Sequence, residues 1–172
     1  RDRFIVFFFI FTTLLNSAAY SEKIEDQLLT TEYYLSYDLV NDQIMFSNNA
    51  DEPIAPASLT KLMTALLLLD SYNLGDFIEI DFPDNYVYEG KVAYLESGQQ
   101  MTIESLLEFI LIYSANDACI AASIIVSDNY EDFIVLMNNK ARELGMNNTN
   151  FNNPDGLDSC LLYTSDAADD LL

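Results

Sequence analysis

Ser58 and Lys61 stand three residues apart at the head of Pro56 to Asp70, PASLTKLMTALLLLD, where an almost unbroken apolar run follows the lysine. In a helix, positions i and i+3 share a face, so the hydroxyl and the amine would be neighbours. A serine hydroxyl is a weak nucleophile until a base takes its proton. An amine becomes such a base where desolvation and nearby positive potential lower its affinity for protons. The mouth of a buried helix offers both conditions. The N–H groups of its first turn, that of Ser58 among them, could also stabilise an oxyanion. The chain contains no histidine. That excludes a Ser-His-Asp triad, a Cys-His pair and every His-based metal site. Hydrolytic chemistry here needs another base, and Lys61 is the one of four lysines that abuts an apolar helical run.

Ser-x-x-Lys fixes only two positions, so a second element that holds the lysine and relays protons is required. Ser-x-Asn occurs at Ser47, Ser71, Ser114 and Ser127. Ser71-Tyr72-Asn73 closes the first helical run, and Ser127-Asp128-Asn129 fills a polar gap that reads as a cap or turn. Ser114-Ala115-Asn116 lies at the junction of two apolar helical patterns, where its side chains could face the mouth of the first helix.

The elements that would position these groups follow from the patterning. Tyr33 to Leu39 and Gln43 to Ser47 are β-prone runs around Val40-Asn41-Asp42 and predict a hairpin. Pro56 suits the first turn of a helix. Leu62 to Leu69 is apolar all round, which predicts a helix running through the core. Phe77 to Asp81 is a short strand candidate, and Gly90 to Gln100 is irregular. Thr102 to Tyr113, Asn116 to Val126 and Tyr130 to Leu144 have helical spacing, with Gly145 as the last stop. In the last of these, Phe133, Leu136, Met137, Ala141 and Leu144 are expected on the buried face.

With 172 residues, half of them apolar, the chain suits a single domain with a core. Its net charge of −21, from 28 acids and 7 bases, leaves no basic patch for nucleic acid or an anionic membrane surface. Cys119 and Cys160 form no disulfide framework, and Cys119 reads as a small core residue. The N-terminus, RDRFIVFFFIFTTLLNSAAYSEK, has two arginines, an apolar run too short to span a bilayer, and small residues before Tyr20. Residues 1–19 are therefore expected to be a secretory signal peptide.

In combination, Pro56-Ala57-Ser58-Leu59-Thr60-Lys61, Tyr113-Ser114-Ala115-Asn116-Asp117, Glu143-Leu144-Gly145-Met146 and Asn153-Pro154-Asp155-Gly156-Leu157 resemble the serine D-alanyl-D-alanine carboxypeptidases, the low-molecular-weight penicillin-binding proteins. The resemblance runs from about Thr31 to Ser159. It implies an α/β fold of the serine β-lactamase/transpeptidase type, here with an N-terminal hairpin, a buried central helix and a helical subdomain. It implies acyl transfer on the stem pentapeptide of peptidoglycan. Ser58 would be the nucleophile and Lys61 the base. Ser114 would relay protons, while Asn116 would bind the substrate amide and help fix Lys61. β-Lactams would be covalent inhibitors, and no metal or organic cofactor is implied. The setting would be the periplasm or the outer face of the cytoplasmic membrane, with membrane association through a C-terminus beyond this chain. A serine β-lactamase, or a non-catalytic peptidoglycan- or β-lactam-binding fragment, is the alternative.

One departure stands out. The third motif of that family, Lys-Thr-Gly on a sheet strand, lies farther from Ser114 than this chain extends, and no lysine here precedes Thr-Gly or Ser-Gly. The later sheet strands are therefore expected to be missing, leaving apolar surface and a sheet edge open. One back-translation of Cys160 to Asp169 resembles a transposase-type sequencing adapter. Residues 20–159 are thus expected to be the N-terminal part of the domain, and 160–172 a non-native tail.

Overall fold

The computed structural model describes residues 30–157. The expected signal peptide and non-native tail lie outside the described residues. From Tyr34 on, the elements are strands β1 (Tyr34–Asp38) and β2 (Gln43–Asn48), a 3-10 turn (Ala57–Leu59) and helix α1 (Thr60–Ser71). Strands β3 (Phe77–Glu79) and β4 (Gln100–Thr102) follow, then helices α2 (Ile103–Leu111), α3 (Asn116–Ser127) and α4 (Tyr130–Glu143). Each strand pair is antiparallel, and the two pairs form separate sheets among the described residues.

The hairpin forms where its turn chemistry predicts. Asp38 Oδ1 accepts from the amides of Val40 and Asn41, and Asp42 takes a left-handed φ of 55°. Asp and Asn tolerate that conformation better than most residues. The β3–β4 pair was only half legible. Thr102 reads as a helix start, and it does cap α2 by accepting from the Ser105 amide at 3.2 Å. Thr102 also ends β4, which pairs Met101 with Ile78. A three-residue strand with one inward side chain is too short to show a period of two.

Helix α1 packs against α2, α3 and α4. Ala65 and Leu68 join a core with Ile103, Leu106 and Ile110 of α2 and Ala118, Cys119 and Ala122 of α3. Met63 and Leu67 join a second core with Phe133, Met137 and Ala141 of α4, plus Met146 and Phe151. The helix is not buried all round, however. Leu62 is 51% exposed and Leu69 47% exposed, and Leu59 shares their side. The three covering helices leave this one face of α1 open. On α4, Phe133, Met137 and Ala141 are buried as expected, while Leu136 and Leu144 stay partly exposed. The buried set repeats every four residues, and positions one turn off that line fall at the rim. Asn129 caps α4 by accepting from the Asp132 amide at 2.8 Å, and Gly145, with φ +86°, ends it. Among the described residues, no helix is long and apolar enough to cross a membrane.

The irregular segment before β4 is tied to the head of α3 by one acid. Asp117 is fully buried, and its two carboxylate oxygens accept from the amides of Ala93 and Leu95, each at 2.9 Å. Asp117→Ala would leave both amides without a partner. We expect a loss of about 3 kcal/mol in unfolding free energy, measured by chemical denaturation. Faster amide exchange at Ala93 and Leu95 should accompany it.

Candidate active site

The chain enters α1 through the 3-10 turn, and that entry displays the serine. Ala57 has a left-handed φ of 48°, and Ser58 next to it is exposed. The turn's bonds use the amides of Leu59 and Thr60, which donate to Pro56 O and to Ala57 O. One turn on, Lys61 is only 3% exposed, with its Nζ 3.3 Å from Ser58 Oγ. Across the cleft, Ser114 comes from the junction of α2 and α3. It too has a left-handed φ, 62°, and its Oγ is 3.3 Å from Ser58 Oγ. Two non-glycine residues in this sparsely populated region flank the Ser58 hydroxyl. Ser58 Oγ thus lies between an amine and a second hydroxyl, both within reach of its proton. Such distances commonly tighten when substrate binds.

Asn116 is 5% exposed and follows Ser114 closely in sequence, but its bonds lead elsewhere. Its backbone amide donates to Lys91 O at 2.7 Å, and its Nδ2 donates to Glu89 O at 3.1 Å. Gly90 makes room for that amide, since a Cβ there would lie 2.5 Å from Asn116 Nδ2. Among the described residues, the expected tie from Asn116 to Lys61 is absent. Lys61 is held instead by Asp155, whose backbone carbonyl accepts from Nζ at 2.6 Å.

Sequence reasoning gave the Asn153-Pro154-Asp155-Gly156-Leu157 stretch no role beyond resemblance. The structure lays it across the start of α1. Pro154 O accepts from Thr64 Oγ1 at 2.6 Å, one helical turn beyond the Lys61 contact. Asn153 shapes the turn by accepting from the Gly156 amide and donating to Leu157 O. Gly156, with φ +74°, sits against Ala57, and a Cβ there would lie 1.7 Å from Ala57 O. A Pro-Asp-Gly run signals a turn; nothing in it signals what the turn packs on.

Electrostatics around this loop follow from burial. Burial pushes the Asp155 carboxyl above its ordinary value, although the Leu157 amide and Lys61 pull it back. On its far side is a cavity of about 310 Å³ whose walls include Tyr86, Glu89 and Tyr130. Burial first, then Asp155 and Glu131, push the Tyr130 phenol up to about 12. The Cys119 thiol is also pushed up by burial and contacts Ala115 O, so it is a core residue and no nucleophile. The open cleft at the serine has a volume of about 430 Å³ and is lined by Ser58, Lys61 and Ser114 together with the apolar side chains of Leu59, Leu62 and Leu111.

Residues 21–171 match the family model described as D-alanyl-D-alanine carboxypeptidase. The chain belongs to that family. It is 38% identical over 119 residues to D-alanyl-D-alanine carboxypeptidase DacF of Bacillus subtilis, covering 67% of this chain and 31% of that relative. The fold matches the crystal structure of the D-alanyl-D-alanine carboxypeptidase DacD from Francisella tularensis with a TM-score of 0.74 and 30% identity, over 90% of this chain and 39% of the other. It also matches penicillin-binding protein D2 of Listeria monocytogenes in the cefotaxime-bound form, with a TM-score of 0.68 and 28% identity, over 83% of this chain and 59% of the other. The expected transpeptidase-type α/β fold is thereby established. The chain spans about a third of the length of the curated relative.

Two substitutions test how this family's site is held together. Gly156→Ala should cost at least about 3 kcal/mol, from left-handed strain plus overlap with Ala57. Thermal unfolding of the variant measures it. Asp155→Asn tests the burial of the carboxyl. The raised value means that the folded chain holds this proton to higher pH than the unfolded chain does. Stability should therefore fall as pH rises from the ordinary carboxyl value through the raised one. In Asp155→Asn that part of the fall should vanish, as read from denaturant midpoints across the acid range.

Proposed function

We propose that this chain is the nucleophile-bearing part of a D-Ala-D-Ala carboxypeptidase acting on peptidoglycan stem peptides. The observation that carries the reading is Ser58 Oγ, 3.3 Å from both Lys61 Nζ and Ser114 Oγ in a chain without histidine. Ser58 Oγ attacks the carbonyl between the two terminal D-alanines as its proton passes to Lys61. The C–N bond then breaks, and the departing D-alanine amine takes a proton through Ser114. Water attacks the resulting ester, returns the proton to Ser58 and frees the shortened peptide. The Ser58 N–H supplies one oxyanion donor, and Asn116 bonds the substrate's amide backbone.

Asp155 positions Lys61. An amine this buried needs a fixed acceptor, and Asp155 O is one that does not titrate. β-Lactams fit the same cleft as acylating substrate mimics, a reading supported by the cefotaxime-bound Listeria relative. On this reading, a strand outside the described residues binds the substrate's terminal carboxylate. A peptidoglycan substrate lies outside the cytoplasmic membrane. Export through the basic and apolar N-terminus, to the periplasm or the outer membrane face, is part of the proposal.

The test uses fluorescent penicillin and a D-Ala-D-Ala peptide with the full-length protein. Ser58→Ala should abolish covalent labelling. Lys61→Ala should slow acylation about 10³-fold, and Ser114→Ala should slow D-alanine release about 10²-fold. The wild-type acyl-enzyme should decay slowly. Rapid penicillin turnover would identify a β-lactamase instead, and labelling that survives Ser58→Ala would remove Ser58 as nucleophile.

A further inference from the structure

The described residues include four cationic side chains: Lys61, Lys91, Lys140 and Arg142. Three have clear employment. Lys61 is in the site, Lys140 pairs with Asp70 at 2.7 Å and with Glu143 at 3.6 Å, and Arg142 bonds Asn139. Lys91 is different. It is exposed and, among the described residues, has no carboxylate within ion-pair distance, although acids outnumber bases fourfold in the whole chain.

Lys91 is nonetheless held. Its carbonyl accepts from the Asn116 amide at 2.7 Å, and its Nζ lies 4.6 Å from the centroid of the Tyr113 ring. Tyr113 directly precedes Ser114, whose Oγ is 3.3 Å from Ser58 Oγ. One contact fixes the backbone of Lys91 to the Ser-Ala-Asn motif, and the other fixes its ammonium beside that motif. A ring face orients an ammonium without supplying a counter-charge or a lone pair, so its N–H donors remain open to an acceptor. The nearest acid in sequence, Glu89, lines the cavity behind Asp155 and is no ion-pair partner of Lys91.

We propose that Lys91, oriented by Tyr113, recognises a side-chain carboxylate of the peptide substrate, upstream of its two terminal D-alanines, at the rim of the Ser58 cleft. The proposal rests on the peptide-hydrolase reading above, and it makes Lys91 a specificity residue in a chain whose overall charge would repel an acidic peptide.

The experiment measures peptide affinity in the full-length protein carrying Ser58→Ala, so that binding is read without turnover. Two peptides end in D-Ala-D-Ala and differ only in an upstream side chain, a carboxylate in one and its neutral amide in the other. The acidic peptide should bind about fivefold more tightly at low ionic strength, the scale of one exposed ion pair. That preference should disappear in Lys91→Met, persist in Lys91→Arg and fade with added salt. If Lys91→Met weakens both peptides equally and Lys91→Arg restores both, Lys91 acts on a group the two peptides share, and the proposed reading of the upstream carboxylate is overturned. Unchanged affinities in Lys91→Met, or equal losses in Lys91→Met and Lys91→Arg, would overturn the proposal. Penicillin labelling of the Ser58 protein keeps the two readings apart. Discrimination without labelling would refute only the hydrolase reading, and labelling without discrimination only the role of Lys91.

Discussion

The contact between Lys61 Nζ and the carbonyl of Asp155 ties the site to the rest of the fold. An amine with 3% exposure is costly to bury without an acceptor. Here the acceptor is a backbone carbonyl 94 residues away in sequence. The bond can form only if α4 has packed on α1 and carried the following loop back across the head of α1. The second core, built from Met63, Leu67, Phe133 and Met137, drives that packing. Nucleophile geometry and core packing are therefore coupled through one hydrogen bond, with Thr64 to Pro154 as a second tie beside it.

The other side of the cleft is organised by the same logic with opposite polarity. Asp117 is a buried acid whose two oxygens take up backbone amides of the irregular segment before β4. Asn116, its neighbour, bonds the same segment through both its backbone and its side chain. Ser114 is thus presented from a junction clamped to a loop that could not otherwise hold its shape. The left-handed backbone at Ser114 is followed by two anchored amides, Ala115 donating to Phe109 O and Asn116 to Lys91 O, while that at Ala57 is held by the local bonds of its 3-10 turn.

The open face of α1 marks where the packing of the three helices stops. Leu62 and Leu69 of α1, with Leu59 of the turn before it, are about half exposed beside a helix whose other apolar side chains join two cores. Part of that face, with Leu59 and Leu62, lines the cleft beside Ser58. An apolar wall beside a polar constellation is the usual composition of a site that orients a small peptide or drug.

Much of this was legible in the residues themselves. Helical spacing put Ser58 beside Lys61, the missing histidine pointed to an amine base, and apolar periodicity located four helices. These are local properties, set by neighbours within a few residues. The hairpin was readable for the same reason, through its Asp and Asn turn. The roles of Asp155, Gly156 and Asp117 were not readable. Each depends on a contact more than twenty residues away, and an acid or a glycine looks the same in sequence whether it meets water or a distant backbone. The sequence by itself determined which groups could react. Tertiary structure decided which of them meet and what holds them, because burial and long-range hydrogen bonds exist only once the helices have packed.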